Sequence, residues 1–187
     1  DALNYTFNTT AATTANITAR PITVTAVTDT KIYDGTTSSI VVPTISGGLG
    51  TGDTTTFAQT FNNRNAGTSK TLTPAGVVND LNGGLNYLVT FTPVLTGTIS
   101  QRAITVAAAT DTKIYDGTVN SLVVPTITVG ALQTGDTTTT FVQTFNNRNA
   151  GTLKLLTPSG AVNDGNGGLN YLVTFTPVAT GTIGQRA

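Results

Sequence analysis

Asn86-Tyr87-Leu88-Val89-Thr90-Phe91-Thr92 recurs unchanged as Asn170-Tyr171-Leu172-Val173-Thr174-Phe175-Thr176. Tyr87, Val89 and Phe91 fall on one side of an extended backbone and Leu88, Thr90 and Thr92 on the other, so the stretch reads as a strand with one face toward a core. Ile22, Val24 and Ala26 alternate in the same way. Threonine makes up about a quarter of the chain, and its branched Cβ favours extended backbone over helix. The expected fold is all-β. Further strands are expected at residues 39–42, 56–61, 69–73 and 94–101, separated by Asp-Gly, Gly-Gly, Asn-Ala-Gly and Asn-Gly-Gly turns. Residues 53–67 read two ways. Asp53, Phe57 and Phe61 at intervals of four, closed by Gly67, fit a capped helix. Phe57, Gln59 and Phe61 equally form one face of a strand, which is favoured because the intervening Thr and Asn residues are poor helix formers.

Outward from these strands the whole unit repeats. Lys31-Ile32-Tyr33-Asp34-Gly35-Thr36 returns at Lys113 to Thr118, and Phe61-Asn62-Asn63-Arg64-Asn65-Ala66-Gly67-Thr68 returns at Phe145 to Thr152. The closing segment occurs three times, from Asn4 to Arg20, Asn86 to Arg102 and Asn170 to Arg186, with a spacing of 16 each time. The chain therefore reads as a slice of a tandem array: residues 1–19 as the tail of a preceding repeat, 20–102 as a first β repeat and 103–187 as a second. Residues 1–19 can alternatively lend a strand to the first complete unit.

Two single-residue insertions separate the copies, one where residues 46–50 become 128–133 and one where 54–56 become 137–140. A one-residue slip inside a paired strand turns later side chains to the wrong face, so both are expected in loops or bulges, with pairing starting at or after the phenylalanines. No Pro/Gly/Ser spacer lies between the units. The apolar positions change from odd at Ile99 to even at Ile104 and Val106, as expected if each unit owns its core.

The chain carries nine basic and nine acidic residues, every acid is Asp, and Glu, His, Cys, Met and Trp are absent. That inventory removes thiol and imidazole nucleophile–base pairs and the usual zinc ligands, so no catalytic residue, cofactor or enzymatic role is expected. The charges are scattered, with no basic stripe for nucleic acid or an anionic membrane. No apolar run approaches the roughly 20 residues that a membrane-spanning helix needs, so no membrane insertion is expected. With no initiator Met and no leader, the chain reads as an internal piece of a longer protein, of extracellular composition.

The order Ile22-Thr23-Val24, Lys31-Ile32-Tyr33-Asp34-Gly35-Thr36-Thr37, Asn65-Ala66-Gly67-Thr68, Lys70-Thr71-Leu72, Asn86-Tyr87 and Gly97-Thr98-Ile99 resembles the YDG repeat family of very large bacterial surface adhesins, including filamentous-haemagglutinin-like exoproteins. Tyr115-Asp116-Gly117, Asn149-Ala150-Gly151-Thr152, Lys154, Asn170-Tyr171 and Gly181-Thr182-Ile183 repeat the pattern. What the resemblance implies is tandem small β-sandwich or β-grasp-like repeats in an elongated arrangement. It further implies a stalk or spacer that carries an adhesive region away from the cell, with neighbouring repeats as partners and a bacterial cell-surface or secreted location. The loop at residues 79–84 departs from that pattern in being longer and richer in Asn and Gly.

Each remaining motif has a plain reading and a sharper one. Asp34-Gly35 is first a turn; the sharper reading is an internal isopeptide crosslink of Lys31 and Asp34 with an Asn elsewhere, which needs a buried Lys beside Asn or Asp and a nearby carboxylic acid, a role left to Asp alone. Asn79, Asp80 and Asn82, with Asn163, Asp164 and Asn166, offer hard oxygen ligands for calcium, but one carboxylate per loop makes a weak site beside an ordinary polar turn. Tyr33, Tyr115, Tyr87 and Tyr171 can stack on sugars, although alternating strand aromatics usually belong to a core. The alternative function is accordingly a weak, multivalent module for host or matrix glycans.

Overall fold

The computed structural model describes residues 12–138 and 141–187. Those residues are all-β, with sixteen strands and no helix. The first unit contains β1 (Arg20–Thr25), β2 (Thr30–Ile32), β3 (Thr44–Ser46), β4 (Thr54–Thr55), β5 (Ala58–Phe61), β6 (Gly67–Ala75), β7 (Val78–Asn79), β8 (Tyr87–Thr92) and β9 (Val94–Ser100). The second contains β10 (Arg102–Ala107), β11 (Thr112–Ile114), β12 (Thr126–Val129), β13 (Val142–Phe145), β14 (Gly151–Ser159), β15 (Tyr171–Thr176) and β16 (Val178–Gly184).

Each unit holds a three-stranded sheet, β3-β1-β8 or β12-β10-β15, followed by a four-stranded one, β2-β9-β6-β5 or β11-β16-β14-β13. Both sheets are mixed. β1 runs parallel to β8, with Arg20 opposite Tyr87 and Thr25 opposite Thr92, and β2 runs parallel to β9, with Thr30 opposite Thr98 and Ile32 opposite Ser100. The opening ribbon of the unit thus lies beside its closing ribbon through both sheets, entering at one end and leaving at the other. Between the sheets that ribbon crosses at residues 26–29, and a buried glutamine holds the crossing. Gln59 Nε2 donates to the Val27 carbonyl at 2.7 Å, and the Val27 amide donates to Gln59 Oε1 at 2.8 Å. Gln143 does the same for Ala109. The side-chain amide stands in for a missing strand neighbour, which keeps the buried backbone groups paired.

The alternation predicted strands well where one face packs against a core. Ile22 and Val24 are buried, Phe57, Gln59 and Phe61 are buried on one face, and the strand reading of residues 53–67 holds over the helical one. The expected strand at 39–42 is absent; its neighbour β3 pairs with β1 instead, leaving Ile40 95% and Val42 66% exposed. Pairing also starts before the phenylalanines, because β4 pairs with β7 ahead of Phe57. Of the two insertions, the first is absorbed as a bulge in the pairing of β10 with β12, between Thr105 and Val106. The second reaches residues 139 and 140, outside the described residues. Residues 12–19 of the tail form no strand, and the rest of it lies outside the described residues.

The largest correction concerns the core. Ile99 and Ile104 do not face separate cores. Ala26, Tyr33, Phe61, Leu72 and Ile99 from the first unit join Ile104, Val106, Phe141, Val162 and Tyr171 from the second in one buried cluster. Ile22, Val24, Phe57, Val78 and Tyr87 form a cluster at the near end, and Ala108, Phe145, Leu156 and Ile183 form one at the far end. The two units meet in this cluster at Tyr33, whose ring packs edge to face on Tyr171 at 5.4 Å.

Candidate functional site

Lys31-Ile32-Tyr33-Asp34-Gly35-Thr36 folds as an anchored turn. Asp34 Oδ1 accepts from the Thr36 amide and hydroxyl and from Lys31 Nζ, all at 2.9 Å. Lys31 Nζ also donates to the carbonyls of Thr36 at 2.8 Å and Ser38 at 2.9 Å and sits 5.2 Å from the centre of the Phe61 ring. The ammonium is therefore committed to holding the loop. Burial works against ionisation of Asp34, but Lys31 and the Thr36 donors outweigh it and lower its pKa. At Asp116 the Thr118 amide and Lys113 bring it to about 2. With Asp34 and Lys31 fixed in an ion pair and Gly35 at φ +79°, the motif's chemistry is that of a turn. The turn also directs Tyr33 the other way, into the shared core, where it is fully buried.

Three further elements converge on Tyr33. A bulge in β6, with Ser69 at φ +52°, turns Lys70 inward. Burial lowers its pKa, and its ammonium donates to Asn63 Oδ1 at 2.6 Å. Asn63 Oδ1 also accepts from the Asn65 amide, so the hairpin tip that carries Arg64, Asn65 and Ala66 is braced from beneath. From the second unit comes Asp136, whose side chain is fully buried. Its Oδ2 accepts from Tyr33 at 3.0 Å and Tyr171 at 2.7 Å, and Arg64 Nη2 lies 3.3 Å from its Oδ1. The two tyrosine rings meet edge to face at 5.4 Å. The third element is the loop at 163–168. Asp164 takes the amides of Asn166, Gly168 and Asn170 on its two carboxylate oxygens, which shapes the loop and fixes Asn170. Asn170 Oδ1 then accepts from the Ala66 amide at 2.8 Å, and the Asp164 carbonyl accepts from Arg64 at 2.9 Å.

The loops singled out for calcium accordingly have another structural task. Asp80 repeats the arrangement, accepting from the amides of Asn82, Gly84 and Asn86. Both carboxylates face inward to their own loop, and a cation would have to displace those amides. Among the described residues no three acidic or other metal-ligating side chains gather as a group. The four singled-out tyrosines also divide: Tyr33, Tyr87 and Tyr171 are buried and Tyr115 is half-buried.

Burial, then the hydrogen bond to Asp136, raises the Tyr33 pKa from 10.0 to about 12, and burial raises that of Tyr171 further. A raised tyrosine pKa means that the folded chain holds the proton more tightly than the unfolded one. The stabilisation is complete below pH 10 and is lost as the pH rises toward 12. Ultraviolet titration is expected to show these two tyrosines ionising last, together with a loss of melting temperature over the same range. Melting that is level across that range would contradict a latch built on neutral phenols.

The structure joins the two units through residues that are far apart in the chain, by an edge-to-face aromatic contact and a buried carboxylate shared by two phenols and a guanidinium. Such a cluster is suited to fixing orientation, since each member has its partners only in one geometry. No curated protein and no solved structure matches the chain. The family profile described as the YDG domain matches residues 18–94 and again residues 100–180. The chain belongs to the YDG domain family and carries that domain twice.

Proposed function

We propose that these two units are a structural spacer from the stalk of a bacterial cell-surface or secreted adhesin, converting chain length into reach for an adhesive region elsewhere. The observation that carries this reading is the junction. A spacer must resist bending where its units meet, and here a core cluster and the Asp136 carboxylate are shared across the boundary with no intervening linker. The glycan-binding alternative would need exposed aromatic rings, and three of the four tyrosines considered for it are spent inside the protein.

Small-angle scattering tests the proposal. The chain should behave as one rigid particle of constant maximum dimension. A variant with Arg64→Ala and Asp136→Ala should give a broadened distribution of distances while each unit keeps its own strands. A parent chain that already scatters as two freely jointed bodies would remove the basis for the spacer reading.

A further inference from the structure

We infer that Tyr33 and Tyr171 are the site of an oxidative crosslink, a dityrosine that ties the two units together by a carbon–carbon bond between their rings. The amino-acid inventory sets up the chemistry. Cysteine, methionine and tryptophan, which take up oxidising equivalents ahead of other side chains, are all absent, and five tyrosines are the most oxidisable side chains that remain. An electron removed from this protein is therefore drawn in the end from a tyrosine.

The fold then selects among the tyrosines. A neutral phenol gives up an electron more readily when a hydrogen-bonded base takes its proton in the same step. Tyr33 and Tyr171 donate to one and the same atom, Asp136 Oδ2, at 3.0 and 2.7 Å, so their hydroxyl-bearing ends converge. Their ring centres lie 5.4 Å apart with the planes crossing at 73°. A biaryl bond also holds its two rings twisted out of a common plane, so the coupling asks for a closer approach of the ortho carbons and not for stacking. The other ring pairs in contact among the described residues, Phe57 with Phe91 and Phe141 with Phe175, contain no phenol. Tyr87 donates to Asp53 but meets no second tyrosine among the described residues, and Tyr115 donates to no carboxylate there.

Each phenol loses one electron to the oxidant and one proton to Asp136, which passes it on to water before taking the next. The two phenoxyl radicals join at the carbons ortho to oxygen, and the ring hydrogens displaced there return to the phenol oxygens. The pair has then lost two hydrogens, as two electrons and two protons. Hydrogen peroxide, acting through the one-electron oxidants it generates, accepts them and ends as two waters. The product fixes covalently the contact that the shared carboxylate holds reversibly. This chemistry needs only the junction and stands whether or not the units serve as a spacer.

The test irradiates the dilute 187-residue chain with ruthenium tris-bipyridyl and persulfate, a small one-electron oxidant. Trypsin separates the tyrosines, since Tyr33 lies in residues 32–64, Tyr87 in 71–102, Tyr115 in 114–148 and Tyr171 in 155–186. The expected product is a monomer lighter by two hydrogens that shows dityrosine fluorescence. Its digest should join 32–64 to 155–186 roughly tenfold or more over any other pair of these peptides, and that preference should vanish in urea. Tyr33→Phe and Tyr171→Phe, which keep the ring, should each remove the joined peptide while circular dichroism shows the strands intact. The crosslinked monomer should melt roughly 3 °C or more above the untreated chain, because a bond between residues 33 and 171 closes a long loop in the unfolded state. A native chain that joins 32–64 to 155–186 no more often than it does in urea would overturn the proposal, as would crosslinking confined to Tyr115 between molecules.

Discussion

Tyr33→Ala is expected to destabilise the chain by about 3–5 kcal/mol, the range for removing a buried aromatic side chain from a core. Tyr115→Ala should cost about 1–2 kcal/mol, because only part of that ring leaves water on folding. The two residues occupy the same turn of the same motif, Ile-Tyr-Asp-Gly, and differ in what covers them. Tyr33 is fully buried against Tyr171 and donates to Asp136, while Tyr115 is half-buried at the rim of the far cluster. Removing Tyr33 opens a cavity in the shared cluster and leaves Asp136 with one phenol and one guanidinium. Urea denaturation of both variants measures the difference, and equal costs would mean that the junction contributes nothing beyond the fold of a single unit.

Gly47→Ala is expected to be comparably damaging, at about 3 kcal/mol or more, through a different mechanism. Gly47 follows β3 at φ +97°, and a Cβ there would lie 2.6 Å from the Pro21 carbonyl oxygen and 3.2 Å from Ile22 Cα. Both contacts are main chain of β1 and cannot move aside without breaking its parallel pairing with β8. Gly130 repeats the situation against the Ala103 carbonyl at 2.7 Å. Alanine at Gly52, which has open space around it, carries only the cost of its positive φ and serves as the control. Thermal melting of the three variants should rank Gly47→Ala and Gly130→Ala well below Gly52→Ala.

The β content and the strands at Ile22, Tyr87 and Val94 were legible because alternation and β-branching act locally. The false strand at 39–42 shows the limit of that signal. Ile40 and Val42 alternate as a strand should, but no neighbouring strand closes over them. The latch was less legible still. Tyr33 and Asp136 are 103 residues apart, and nothing in a run of Thr and Gly around Asp136 distinguishes it from a loop acid. The parity change at Arg102 was visible and suggested two cores; contact across the boundary made it one.

The parallel pairing of the opening and closing ribbons has a mechanical consequence. Tension applied to the two ends of a unit pulls residues 20–32 toward the N-terminus and residues 87–100 toward the C-terminus. Their shared ladder, from Arg20 opposite Tyr87 to Ile32 opposite Ser100, is then loaded in shear. Bonds loaded side by side must fail together, whereas an antiparallel hairpin pulled at its open end peels one bond at a time. Arg102 continues from β9 into the corresponding ladder of the next unit, Arg102 opposite Tyr171 through Ile114 opposite Gly184, with no slack between them. Each YDG unit is thereby a shear clamp in series with the next, and its lifetime under load is set by the rate of rupturing that ladder more than by its stability at rest.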